Sequence, residues 1–154
     1  MRYTQNMNNA LSENRKAYFH YEIVEAFEAG IELKGYEVKA VKAGRANIAG
    51  SFATVKDNQI WLTGANIPPY QSKNTPADYD PTRSRRLLLN RKEIVYLIGK
   101  MTSDRLTLVP LKLYTKTNLI KVELGLARGK KQFEKREAIK NRETQREISR
   151  TLKS

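Results

Sequence analysis

The chain has 154 residues, and its 29 Lys and Arg against 16 Asp and Glu leave a net charge of +13. A field of that sign attracts polyanions, so nucleic acid is the default partner. No cysteine and a single histidine, His20, exclude disulfides and thiolate metal sites, and leave any zinc or iron site to carboxylates.

The length suits one domain with a real core. "MRYTQNMNNALSEN" lacks the apolar run of a secretory signal, and "IVYLI" and "LLL" are far short of a membrane span. A cytoplasmic protein is expected, and no basic helix with a broad apolar face argues for a membrane surface.

Residues 1–13 read as a loose polar end. From Tyr21 the pattern alternates: Tyr21, Ile23, Phe27, Ala29, Ile31 and Leu33 predict a strand, broken at Glu25, with a bulge or bend at Gly30. "GYEVKAVKAG" predicts a short helix closed by Gly44. "SFATVKDNQIWLTG" predicts a hairpin turning at Asp57-Asn58. "NIPPYQSKNTPADYDPTRSRR" holds four of the five prolines and reads as a long functional or mobile loop.

"LLLNRKEIVYLIGKM" predicts a helix capped by Asn90, with Glu93 completing a capping box, Leu89 stapled to Ile94, and Ile94, Leu97, Ile98 and Met101 as the buried stripe. "RLTLVPLKLYT" predicts a strand whose Pro110 marks an edge or a bulge. After a turn at Thr117-Asn118, "IKVELGLA" places Ile120, Val122, Leu124 and Leu126 inward, Lys121 and Glu123 outward. The sum is mainly β with flanking helices, a small antiparallel OB-like barrel.

From residue 128 the composition changes: ten Lys or Arg face four Glu, and few apolar groups remain. Glu137–Lys140, Glu143–Arg146 and Glu147–Arg150 have helical spacing. Such a segment is disordered when free and helical when something holds it. The expected organisation is therefore a flexible 1–13, a barrel over 14–127 and a basic tail over 128–154.

Catalytic patterns are weak. "GLARGKK" lacks the spacing of a phosphate loop. His20 reads as a strand-end surface residue, and Asp78 and Asp80 as turn acids rather than magnesium ligands. "TRSRRLLLNRK" gathers Arg83, Arg85, Arg86, Arg91 and Lys92 into an RNA-contact patch, and Tyr18, Tyr21 and Tyr70 offer stacking planes. No enzyme, cofactor or metal is expected.

Three strings stand in one order: "NRKAYFHYEIVEAFEAGIELKGYEVKAVKAGRANI", "DPTRSRRLLLNRKEI" and "LVPLKLYTKTNLIKVELGLARGKKQFEKRE". Together they closely resemble the bacterial SmpB family, the SsrA-binding proteins, over roughly residues 14–142. The resemblance implies an OB-like barrel with a basic tail, binding the tRNA-like domain of tmRNA. With elongation factor Tu, such proteins bring the alanylated RNA to stalled ribosomes. There the tail lies in the empty mRNA channel by the small-subunit decoding centre, and the peptide is tagged.

Carried onto this sequence, the family's RNA contacts fall on Glu28 of "FEAG" and on Leu88 and Asn90 of "LLLN". Arg83, Arg85, Arg86 and Tyr21 would support them. The ribosome-binding tail maps to Arg128, Gly129, Lys130, Lys131, Phe133, Lys135, Arg136, Ile139, Lys140 and Arg142. Phe133 stands where the family usually has His or Tyr, keeping the stacking face and losing the polar handle. "AIKNR" at 138–142 stands where the family tends to "DIKER", with two acids gone. A general RNA chaperone or ribosomal protein is the nearest alternative, an RNA-modifying enzyme using Asp78 and Asp80 a more distant one.

Overall fold

The computed structural model describes residues 10–130. Strand β1 (Ala10–Glu13) leads into helix α1 (Arg15–His20) and the long strand β2 (Tyr21–Ile31). Helix α2 (Gly35–Lys42), the hairpin β3 (Phe52–Lys56) and β4 (Gln59–Thr63), and strand β5 (Arg85–Leu88) follow. Helix α3 (Arg91–Ser103) and the hairpin β6 (Thr107–Lys116) and β7 (Leu119–Gly129) complete the order. All seven strands pair antiparallel in one sheet, in the order β1-β6-β7-β2-β5-β4-β3. The sheet curls until β3 packs against β6, giving the expected small barrel-like architecture.

Local chemistry explains the corners. Asp57-Asn58 and Thr117-Asn118 all adopt positive φ, the geometry of the tight hairpin turn whose twist matches the strands. Gly44, at φ +77°, follows α2 as its left-handed terminator, and the Arg45 amide donates back to the Ala40 carbonyl. The Asn90 side chain accepts from the Glu93 amide at 2.9 Å while Glu93 accepts from the Asn90 amide, so α3 starts with the capping box its sequence announces. Ile94 and Leu97 are buried, with Ile98 and Met101 half-buried beside them.

Two apolar clusters result. The barrel interior gathers Ala29, Ile31, Ile60, Leu62, Leu87, Val122 and Leu124, and Leu97 of α3 joins the same cluster. A smaller cluster, Ala17, Val109, Leu111 and Ala127 with Tyr21 and Ile23, lies on the other face of the sheet beneath α1. A one-residue bulge connects the two in β2: the register slips between Ile23 and Glu25, so Tyr21 and Ile23 pack under α1 while Ala29 and Ile31 enter the barrel. The break in the alternation at Glu25 is this bulge, which falls at Val24 and not at Gly30. Pro110 also sits at a bulge, its register slipping before Lys112, but in an interior strand between β1 and β7.

Three expectations need correction. Residues 10–13 are not loose: they form β1 and pair with Lys112, Leu113 and Tyr114 of β6. Arg128 and Gly129, expected in the tail, finish β7 opposite Glu22 and Tyr21, so the body runs past residue 127. Glu123 does not face solvent; it is buried beside Lys112, on the face of the sheet against which α1 packs.

Candidate nucleic-acid interface

The outer face of β2 and β5 brings together three of the predicted contacts, Glu28, Leu88 and Arg86. Glu28 and Gly30 are two residues apart on β2 and therefore share a face. Gly30 lies directly opposite Leu88 on β5. A Cβ at Gly30 would stand 3.3 Å from the Leu88 Cβ, so the glycine lets this leucine lie flat across the strand pair. Leu88 is 44% exposed, an apolar side chain held on the surface of a basic protein. Asn90 follows at the start of α3, exposed like its neighbours Arg91 and Lys92.

Glu28 is positioned from the next strands. The buried Tyr114 hydroxyl donates to its carboxylate, and the Lys116 ammonium reaches both oxygens at 3.3 Å. These contacts, Tyr114 first, hold the Glu28 carboxyl below its ordinary value despite some desolvation, and Lys121 adds a weaker attraction. The mate Tyr114 is pushed strongly upward by burial and then by Glu28, so it stays a donor. No sequence pattern singles out Tyr114, Lys116 and Lys121; two of them flank the Thr117-Asn118 turn, and only the hairpin register brings them to Glu28.

The arginines divide. Arg86 is half-buried on the same outer face, opposite Trp61, and pairs with Glu32 at 3.3 Å. Arg85, expected as an RNA contact, points inward and is 0% exposed. Its guanidinium donates to Glu37, to the Tyr79 hydroxyl and to the carbonyls of Ala65, Arg83 and Pro81. Arg83 donates from Nε to the same Glu37 at 3.1 Å and closes a second contact through its terminal nitrogen. Burial alone would push Glu37 up, yet the Arg83, Lys34 and Arg85 contacts outweigh it and hold the carboxyl low. The proline-rich loop is thus bolted to α2, and Arg83 and Arg85 hold the fold there. Asp80 accepts from the Thr82 amide and hydroxyl, the turn role expected of it.

Tyr21 is half-buried in the cluster under α1, where its ring offers packing first. The ring of Tyr70 lies under the Arg45 guanidinium at 5.1 Å, and Tyr18 is exposed on α1. His20 is exposed at the end of α1. At the root of the tail, the Lys130 amide donates to the His20 carbonyl and its ammonium to the Tyr18 carbonyl, both at 2.9 Å. Lys131, Phe133, Lys135, Arg136, Ile139, Lys140 and Arg142 lie outside the described residues. Among the described residues no group of three His, Cys, Asp or Glu could hold a metal, and no helix is long and apolar enough to cross a membrane.

Known proteins are similar to this chain in sequence and in fold. The family model described as "SmpB protein" matches residues 11–154. An SsrA-binding protein of Synechococcus elongatus is 50% identical over 93% of this chain and 93% of its own. That of Carboxydothermus hydrogenoformans is 47% identical over 96% and 99%. A solved chain described under "tmRNA-SmpB: a journey to the center of the bacterial ribosome" is 49% identical, with a TM-score of 0.63 over 78% of this chain and 84% of that one. With a match this long in both sequence and fold, the chain belongs to the SmpB family of SsrA-binding proteins.

Proposed function

We propose that this chain is a non-catalytic RNA-binding adaptor of trans-translation. It binds the tRNA-like domain of tmRNA through the outer face of β2 and β5. The carrying observation is the exposed Leu88 laid over Gly30, with Glu28, Arg86 and Asn90 around it. Leu88 supplies an apolar platform for a ribose or a base. A carboxylate cannot bind phosphate, so Glu28 serves by accepting from a base edge or a 2′-hydroxyl. Arg86, Arg91 and Lys92 supply the salt-dependent attraction to the backbone. Asn90 caps α3 through its oxygen, which leaves its amide hydrogens to donate outward.

The protein works in the cytoplasm, with elongation factor Tu and the alanylated tmRNA as its travelling complex. The tail beyond Lys130 enters the empty mRNA channel of the stalled ribosome as a helix and stands in for a codon near the decoding centre. Phe133 stacks there, and the basic residues around it meet ribosomal RNA. Support comes from the family membership and from the likeness to a solved chain described with tmRNA-SmpB and the bacterial ribosome.

The test has two steps. RNA recovered with the protein from a bacterial lysate at moderate salt should be dominated by tmRNA; a broad mixture would favour a general RNA chaperone. Truncation after Lys130, which keeps β7 and its anchor whole, should leave tmRNA affinity within a few-fold and abolish peptide tagging. Collapse of tmRNA affinity on truncation would place the tail in the RNA site and overturn this division of roles.

A further inference from the structure

A cavity of about 430 Å³ opens on the same face of the sheet as Glu28, one strand further on, beneath α1. That volume lies in the range of sites that hold a small organic group. Two of its lining residues, Leu111 and Ile23, close over Gly125: a Cβ there would meet their tips at 3.1 and 3.2 Å. Those two side chains form the apolar walls, and Tyr18, 51% exposed, stands at the rim.

The polar chemistry is concentrated at one end. Glu123, only 8% exposed, lies beside Lys112 with 3.8 Å between carboxylate and ammonium. The Glu123 Oε1 atom is buried and accepts no hydrogen bond from the protein. A buried acceptor left unpaired is costly, and buried polar groups in native proteins are almost always satisfied. Arg15 and Glu13, paired with each other at 3.5 Å, add one more charge of each sign at the mouth.

This pattern selects a ligand class. Two acids and two bases make the cavity neutral within a protein of net +13, so it does not favour phosphate. A carboxylate side by side with an ammonium complements a flat group that carries donors next to an acceptor. Among nucleobases, guanine presents that edge: N1–H and the N2 amine for a carboxylate, O6 for a cation. Single-stranded bases are read in this way, stacked on an aromatic ring and bonded along the Watson–Crick edge. The oxygen is shielded while the cavity is empty, but the last torsion of a glutamate is broad, and turning it opens the acceptor.

We infer that this cavity receives one unpaired guanine of an RNA partner, with Glu123 taking its N1 and N2 hydrogens, Lys112 or Arg15 facing O6, and Tyr18 covering the ring. The inference rests on the RNA-binding reading above and adds a base-specific contact to it. The guanine can come from tmRNA or from ribosomal RNA, since both display unpaired bases.

Binding of the full chain to the pentamers UUGUU, UUAUU and UUUUU tests the base preference. UUGUU should bind about tenfold more tightly than the other two, the scale of one good bidentate base contact. Replacing its guanine by inosine, which lacks the N2 amine, should forfeit part of that advantage and keep the rest. Glu123→Gln replaces one of the two acceptor oxygens by a donor at nearly constant size, which breaks the bidentate contact and should remove most of the preference. If that variant loses its near-ultraviolet circular dichroism, Tyr18→Ala at the exposed rim should still lower UUGUU affinity several-fold. Equal binding of the three pentamers by the unaltered protein would overturn the assignment.

Kethoxal, which attacks N1 and N2 of unpaired guanines, then locates the source. One guanine should be protected by the unaltered protein and exposed with Glu123→Gln, either in the tRNA-like domain or in small-subunit RNA. If both RNAs bind and no guanine differs between the two proteins, the pocket is wrong while the parent reading stands. If tmRNA does not bind at all, the parent reading fails, and the pentamers still decide the pocket.

Discussion

Glu28 and Glu37 make an instructive pair. Each is a carboxylate held by a tyrosine hydroxyl and by cations, and each is shifted below its ordinary value. Glu37 is fully buried, and its partners Arg83, Arg85 and Tyr79 come from one proline-rich loop and the strand it leads into. Glu28 stands on the outer face, with Tyr114 and Lys116 beneath and beside it. The same chemistry serves as a bolt where water is excluded, and as a presented group where one side stays open. Burial, and not residue type, sorts the two.

Breaking the bolt should have the largest effect. Glu37→Ala leaves Arg85 buried without its counter-charge, which costs about 3–5 kcal/mol of stability for pairs of this kind. Urea unfolding should show a lower midpoint, and protease should cut within 68–82 first. A change below about 1 kcal/mol would mean the loop is held by something else.

On the open side the expectation reverses. Leu88→Asp should lower affinity for tmRNA by about tenfold or more, with the urea midpoint nearly unmoved, since surface changes usually stay within about 0.5 kcal/mol. An equal loss of stability would make Leu88 a packing residue and not a platform.

Asn90 sits between the two roles, which makes it informative. Asn90→Ala removes the cap and should cost about 1 kcal/mol of stability. Asn90→Asp keeps the cap oxygen and loses the amide donor, so it should retain stability while weakening RNA binding. If both variants bind RNA equally well, the cap is the only role of this side chain.

The smallest effect concerns pH. A carboxyl whose folded value is depressed adds stability that is present above its ordinary value near 4.5 and is lost as pH falls through the folded value. Glu28→Gln should therefore flatten the acid limb of the stability profile below about pH 4.5. The change should be a few tenths of a kcal/mol, because Lys116 and much of Glu28 face solvent.

What the sequence discloses follows the range of the interactions. The capping box at Asn90 and Glu93, the two hairpin turns and the Gly44 terminator depend on neighbours within a few residues, and all are present in the fold. Arg85 is harder to place. Its counter-charge Glu37 lies 48 residues away, and an "RSRR" string looks the same whether its members face RNA or the core. Glu123 misleads for a related reason: alternation assigns the second face of a strand to water, and it cannot see that α1 lies over that face. The bulge at Val24 is visible as a defect at Glu25, but its consequence, a change of face along β2, needs the paired strand. Glu28, Leu88 and Asn90 stand out by family resemblance. Gly30 reads only as a bend; its packing against Leu88 and the register that brings Lys116 to Glu28 require coordinates.

The Lys130 anchor gives the tail a fixed zero point. One residue is tied through both its amide and its ammonium to the carbonyls that end α1, so the chain leaves the body at a set place. In the function proposed above, a helical tail would count its residues from that mark at about 1.5 Å each. The protein would then act as a ruler: its body, seated on one RNA, would set how far along another each tail residue could read. Lengthening the root by one residue would rotate every later side chain by about 100° and shift it by about 1.5 Å. Timing and register on the ribosome would thus depend on two hydrogen bonds far from any codon.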